Sequence, residues 1–253
     1  MIFAYLDLLQ GSQTAFLVFF GAVVTALLVG IGFHEFSHAF AADSLGDPTP
    51  RHRGRLTLNP FAHLHPMGTI LLFMAGFGWG KPVPVNPNLM RRTSPKTGMA
   101  MVAAAGPISN LVVAGIAGVP IKLGLVDWHT PFFAWGKTSE YVEYVVGTWG
   151  LSDYLGLYLG SIIIFGIILA LFNLTPLWPL DGFSVAVGIL PRDLSQELER
   201  LRAWGPGLLL LFIFGIPILT AGSLNPFFDL LRPAVNGVAS LLTGVGDPNV
   251  FGY

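Results

Sequence analysis

The sequence predicts an all-α polytopic membrane bundle of four to six transmembrane helices, with short membrane-associated β-strands. Three observations carry this reading. Apolar residues make up 53% of the 253-residue chain and charged residues only 11%, against about 25% charged in an ordinary soluble domain. The mean hydropathy is +0.67, which leaves too little polar surface to face water. The apolar residues also fall in unbroken runs, and about 20 of them in a helix cross the hydrocarbon core. Such a composition excludes a soluble globular enzyme and a disordered chain. The net charge of −1 provides no basic patch to neutralise phosphates, so no nucleic-acid partner is expected. The chain has no cysteine, which excludes disulfides and thiolate metal sites.

The elements follow in order within one transmembrane domain, 1–253. An N-terminal segment, 1–13, precedes a first span at 14–43, whose stretch 15–33 carries no charge. That span has no basic start and runs straight into polar residues, unlike a signal peptide. Residues 44–98 form a long loop, in which Leu56 and Leu58, and Val83 and Val85, alternate as short strands do. A second span occupies 99–125 and a third 154–180. Pro176 and Pro179 interrupt the end of the third, because proline lacks the helical donor and clashes with the preceding turn. A segment beginning Asp-Gly and a connection fill 181–203, and a fourth span follows at 205–222. The stretch 224–243 holds Asp229, Arg232 and Pro233, and reads either as a further span or as an interfacial helix.

Loop charges orient the bundle. Arg51, Arg53, Arg55, Lys81, Arg91, Arg92 and Lys96 lie between the first two spans, and Arg192, Arg200 and Arg202 in the third connection. These are ten of the thirteen basic residues. The excess of Lys and Arg in cytoplasmic loops places both connections in the cytoplasm and the N-terminus outside. The expected location is the cell membrane of a prokaryote, with the lipid bilayer as a partner.

Residues 34–38 read His34-Glu35-Phe36-Ser37-His38. Positions i and i+4 share a helix face, so both imidazoles reach one metal ion, while Glu35, about 100° round, touches the metal's water without ligating. HExxH is a short pattern that also occurs by chance. A Glu in or beside an apolar span, however, costs roughly 2.5–3.5 kcal/mol on insertion scales and marks function. Catalytic zinc usually takes three protein ligands. The soluble zincin extension fails, since position 41 is Ala and position 44 Ser, and no Glu occurs between Glu35 and Glu140. The remaining intramembrane candidate is Asp181, which reads equally as an N-cap of the helix after it; the two roles are compatible.

HEFSH at 34–38 and NLTPLWPLDG at 173–182 together resemble the site-2 proteases, membrane-embedded zinc metalloproteases. The second stretch matches the family's Asn-x-x-Pro-x-x-Pro-Leu-Asp-Gly pattern. GRLTLNPFAHLHPMG at 54–68, GWGKPVPVNP at 78–87 and AGPISN at 105–110 look like segments of the compact prokaryotic branch. The resemblance spans about residues 15–220. It implies one Zn²⁺ held by His34, His38 and Asp181, with Glu35 as catalytic base, in a site near the cytoplasmic face. Two positions depart from the pattern: Phe183 stands where a second Gly is common, and His65 where an Asp is common.

Gly106, Asn110, Ala114 and Gly118 recur every four residues, a small-residue stripe of the kind that lets membrane helices approach closely. Asn110 then either bonds a neighbouring helix or holds substrate backbone or the developing oxyanion, the role the resemblance favours. Asn173 is a second such candidate, or satisfies carbonyls freed by Pro176. Pro82 and Pro84 remove donors from one edge of a strand at 82–85, while Val83 and Val85 keep donors on the other. That edge offers pairing to an unwound substrate; a plain membrane-surface hairpin is the simpler reading. His52, His63 and His65 read as loop histidines, and His129 has no evident partner.

The function so implied is hydrolysis of peptide bonds in or near the transmembrane segments of membrane proteins, in regulated intramembrane proteolysis, by Glu-assisted attack of zinc-bound water. The expected partner is a single-span membrane protein with a helix-weakened segment, and no soluble cofactor is expected. A membrane zinc transporter would need no Glu after the first His and would carry polar groups across the whole bilayer. An inactive zinc-binding scaffold would be expected to lose Glu35 or a ligand.

Overall fold

The computed structural model describes residues 6–75, 78, 80–133 and 137–251. A short helix, Leu6–Gly11 (α1), leads through Ser12 into Gln13–Ser44 (α2). Ser12 caps α2 by accepting the Ala15 N–H at 3.2 Å, one of the donors a helix start leaves without a partner. With 32 residues, α2 is about 48 Å long at ~1.5 Å per residue. It therefore outruns a ~30 Å hydrocarbon core and carries HEFSH within its last third. Gly46, with φ of +106°, turns the chain back. The carboxylate of buried Asp47 then accepts from Thr49 N at 2.9 Å and Asn86 N at 2.6 Å, which clamps the two ends of the long loop.

Within that loop Pro66–Ala75 is helical (α3). The next long helix is Pro95–Lys122 (α4), started by Ser94, which accepts the Thr97 N–H, and by Pro95 in the first turn. Ser139–Val146 (α5) and Leu151–Asn173 (α6) follow. Asp153 accepts the Gly150 N–H at 2.8 Å and secures the start of α6. Asp181–Ile189 (α7) comes after a proline-broken turn, and Arg192–Leu219 (α8) mixes α-turns with a 3-10 turn at Leu201–Trp204 and a π turn at Leu211–Gly215. Pro226–Thr243 (α9) is the final helix.

Among the described residues four helices are long and apolar enough to cross a membrane, α2, α4, α6 and α8, matching the four expected spans. The segment 224–243 forms α9, whose buried residues Phe227, Leu231, Val235, Ala239 and Thr243 repeat every four. This stripe packs on α4 and α6 around Ile163, Ile164 and Ile167. The centre of the bundle is α2, α4 and α6, each touching the other two. Small residues set helix spacing: a Cβ on Gly166 of α6 would meet Ala114 of α4 at 3.4 Å, and one on Gly118 of α4 would lie 2.8 Å from Leu242 O of α9.

The expected short strands shrink, among the described residues, to one antiparallel bridge between Leu64 and Gly80. Lys81 N donates to His63 O at 2.6 Å beside it. Pro82 and Pro84 then withhold the N–H groups that would extend a ladder, and Leu56, Leu58, Val83 and Val85 lie in no strand.

Candidate metal centre

Helical spacing on α2 sets His34 and His38 one turn apart, with ring centroids 4.6 Å apart and rings at 89°. Asp181, first residue of α7, comes to them from the far end of the third span. The turn at 174–180 is tight: a Cβ on Gly182 would stand 2.1 Å from Leu174 O, so only glycine lets α7 start against the end of α6. Phe183 is buried and sets its ring edge to face against Trp178, centroids 5.8 Å apart. The larger residue at that position therefore packs without displacing Asp181. Leu180 occupies the N-cap position of α7, with no side-chain cap bond; the Asp181 carboxylate turns to the histidines instead.

Its Oδ2 lies 3.0 Å from His34 Nε2 and 3.3 Å from His38 Nε2. His38 Nδ1 is 2.7 Å from Val102 O, and since a carbonyl only accepts, Nδ1 carries the proton and donates. If the ring is neutral, that bond leaves the lone pair of Nε2 facing a carboxylate oxygen at 3.3 Å. Two such acceptors approach this closely only with a positive charge between them, a proton or a metal ion. Two ligand atoms of a tetrahedral zinc, each ~2.0–2.1 Å from it, stand about 3.3 Å apart. Asp181 Oδ2 is buried and faces the two Nε2 atoms, the position a shared metal ligand would take. Among the described residues these three are the group of His, Asp or Glu side chains that could hold one ion. The donor set and its spacing fit zinc.

Glu35 stays outside that ligand group and opens on the same cavity of about 590 Å³. Gly80 lies close to it, such that a Cβ there would be 3.3 Å from Oε1, and the Val83 N–H faces the carboxylate. Val83, Val85 and Asn173 also line the cavity. Asn173 Nδ2 donates to Leu169 O at 2.9 Å, a bond to its own helix. Asn110 is fully buried and is not among the cavity-lining residues; its amide nitrogen is 3.0 Å from His34 Nδ1. His63 is buried with Nε2 donating to Thr57 O at 2.9 Å, and His65 Nδ1 accepts the Gly68 N–H. Both are loop histidines, as expected.

Four features escaped the sequence. His129 does have a partner, Asp153 Oδ1 at 2.8 Å. Ser184, one turn after Asp181, and Thr69 line the cavity. Gly106 backs both histidine rings: a Cβ there would be 2.5 Å from His38 Nε2 and 2.7 Å from His34 Cε1. The four-residue stripe signalled that Gly106 touches something closely, but not that the neighbour is the metal site.

The chain is 33% identical over 228 residues to a Bacillus subtilis (strain 168) protein named "Putative zinc metalloprotease YwhC", covering 89% of this chain and 93% of that one. It is 28% identical over 238 residues to "Putative zinc metalloprotease Rip2" of Mycolicibacterium smegmatis, covering 88% and 77%. For the protein of the same name in Mycobacterium tuberculosis (strain Erdman) the identity is 30% over 215 residues, covering 83% and 70%. No family model and no solved structure matches the chain. The chain belongs to the family of these relatives, the site-2 protease family of membrane metalloproteases.

Proposed function

We propose that the protein is an intramembrane zinc endopeptidase that hydrolyses peptide bonds within or near the transmembrane segments of membrane-protein substrates, the chemistry of regulated intramembrane proteolysis. One observation carries the reading: Nε2 of His34 and of His38 converge on Asp181 Oδ2 at 3.0 and 3.3 Å, in a cavity that Glu35 also lines. The names of the relatives support zinc as the ion and proteolysis as the reaction.

His34, His38 and Asp181 would hold the ion. Bound zinc supplies Lewis acidity, which polarises a carbonyl and acidifies water. Glu35 takes the proton of the attacking water as its oxygen bonds to the scissile carbonyl carbon. It then delivers that proton to the amine nitrogen as the C–N bond breaks. Asn173, Val83 and Val85 stand along the wall of the cavity, where an unwound substrate segment would lie. A helical substrate hides its carbonyls in its own hydrogen bonds, so a single-span partner with a helix-weakened segment is the class that fits. The ten basic residues in the first and third connections support a cytoplasmic position for this end of α2.

The test is cleavage of a purified single-span substrate in detergent by the wild-type protein, by Glu35→Gln and in the presence of a chelator. Glu35→Gln keeps size and shape but removes the base. It is expected to retain zinc and to lose cleavage by several orders of magnitude. Cleavage at the wild-type rate by Glu35→Gln, or by metal-free protein, would overturn the proposal.

A further inference from the structure

Helix α4 presents three successive turns to the two histidines. The carbonyl of Val102 accepts the His38 Nδ1–H at 2.7 Å. One turn on, Gly106 lies flat against both rings. One turn further, the Asn110 amide meets His34 Nδ1 at 3.0 Å. Each imidazole is thus gripped at Nδ1 by α4 while its Nε2 points to Asp181. For His38 the grip also fixes the tautomer, because a carbonyl can only accept.

The grip on His34 is different in kind. An amide offers a donor at one end and an acceptor at the other, and a half-turn about its last torsion exchanges them without changing its shape. With Nδ2 toward the ring, the proton of His34 sits on Nε2 and points at Asp181. With Oδ1 toward the ring, the proton sits on Nδ1 and the lone pair of Nε2 is free for a metal. Asn110 is fully buried, and Oδ1 is the atom of its side chain left without a partner. Metal-ligating histidines almost always donate their outer N–H to such an acceptor, and losing it typically lowers metal affinity 10–100-fold.

We infer that Asn110 is the positioning residue of the metal centre: in the metal-loaded protein its Oδ1 accepts the Nδ1–H of His34 and holds the ring in the tautomer that ligates. It acts through His34 and touches neither substrate nor oxyanion. The inference rests on the zinc site proposed above. It explains why a polar side chain stands in the small-residue stripe of α4, directly behind a ligand.

The experiment measures zinc affinity by chelator competition on purified protein, alongside kcat and KM for the single-span substrate. Asn110→Leu keeps the size and removes the acceptor; it is expected to bind zinc 10–100-fold more weakly. Asn110→Asp offers an acceptor whichever way it turns and is expected to restore wild-type affinity or better. Should Asn110→Leu not fold, Asn110→Ser, whose hydroxyl is too short to reach the ring, is expected to show the same loss. Wild-type zinc affinity in Asn110→Leu or Asn110→Ser with a lowered kcat would overturn the inference in favour of a direct oxyanion role. Loss of affinity in Asn110→Asp equal to that in Asn110→Leu would overturn it in favour of a donor role. His34→Ala, run beside them, separates the levels. If it loses zinc while the Asn110 variants do not, only the inference fails; if it keeps zinc, the proposed site fails too.

Discussion

The backbone of Gly106 lies so close to His38 that a methyl group added there would stand 2.5 Å from Nε2, well inside any tolerated contact. Gly106→Ala must therefore displace the two rings from their positions against α4. A misplacement of about 1 Å at a reacting centre can lower the rate about 100-fold. The variant is expected to lose at least that much cleavage and most of its zinc, measured as metal per chain. Gly115→Ala on the same helix meets Leu242 at an ordinary 3.7 Å and is expected to match wild type in both.

Asp181→Ala removes the oxygen on which both Nε2 atoms converge, and is expected to lower bound zinc as far as His34→Ala does. His63→Ala and His65→Ala remove rings engaged in loop hydrogen bonds, and are expected to leave zinc content near normal. Elemental analysis of the purified variants decides it. Full zinc in Asp181→Ala with loss in His63→Ala would move the centre into the loop.

His63 also gives a pH dependence. Its burial, with the nearby Arg55 charge adding to it, holds the imidazole pKa below the usual 6.5 despite the hydrogen bond to Thr57 O. The unfolded loop therefore binds a proton more readily than the folded one, so stability is fully present above about 6.5 and falls as the pH drops through that value. Hydrogen exchange at 57–64 is expected to quicken between pH 7.5 and 5.5 beyond the intrinsic change. In His63→Gln that pH dependence is expected to vanish.

The native chain has no cysteine, so single cysteines report sidedness without background. Asn88, Glu140 and Gln196 are exposed. With the first and third connections inside, Glu140→Cys is expected to react with an impermeant thiol reagent added to intact cells. Asn88→Cys and Gln196→Cys are expected to react only after lysis. The reverse pattern would invert the topology.

The spans were legible because the bilayer requires long apolar helices, and α2, α4, α6 and α8 satisfy that locally. HEFSH was legible because its geometry is contained within one turn of one helix. Asp181 needed a second motif far along the chain, since nothing local tells a ligating carboxylate from a capping one. The strands at 56–58 and 83–85 were over-read: alternation indicates a pleated surface, but Pro82 and Pro84 leave no ladder to build. The His129–Asp153 pair and the packing of Gly106 on the histidines were hidden for a common reason. Each depends on how two helices meet, and spacing along one of them does not contain it.

The three groups of the candidate metal centre, His34, His38 and Asp181, come from the first long span and from the turn after the third. A ribosome must therefore have made, and the membrane accepted, everything from HEFSH through Asp181 before the centre can assemble. A chain released early carries HEFSH without Asp181 and so has two imidazoles but no third donor to complete the set. Synthesis thus runs ahead of assembly: the membrane receives the apolar helices first, and the three groups meet only once the bundle around them has formed.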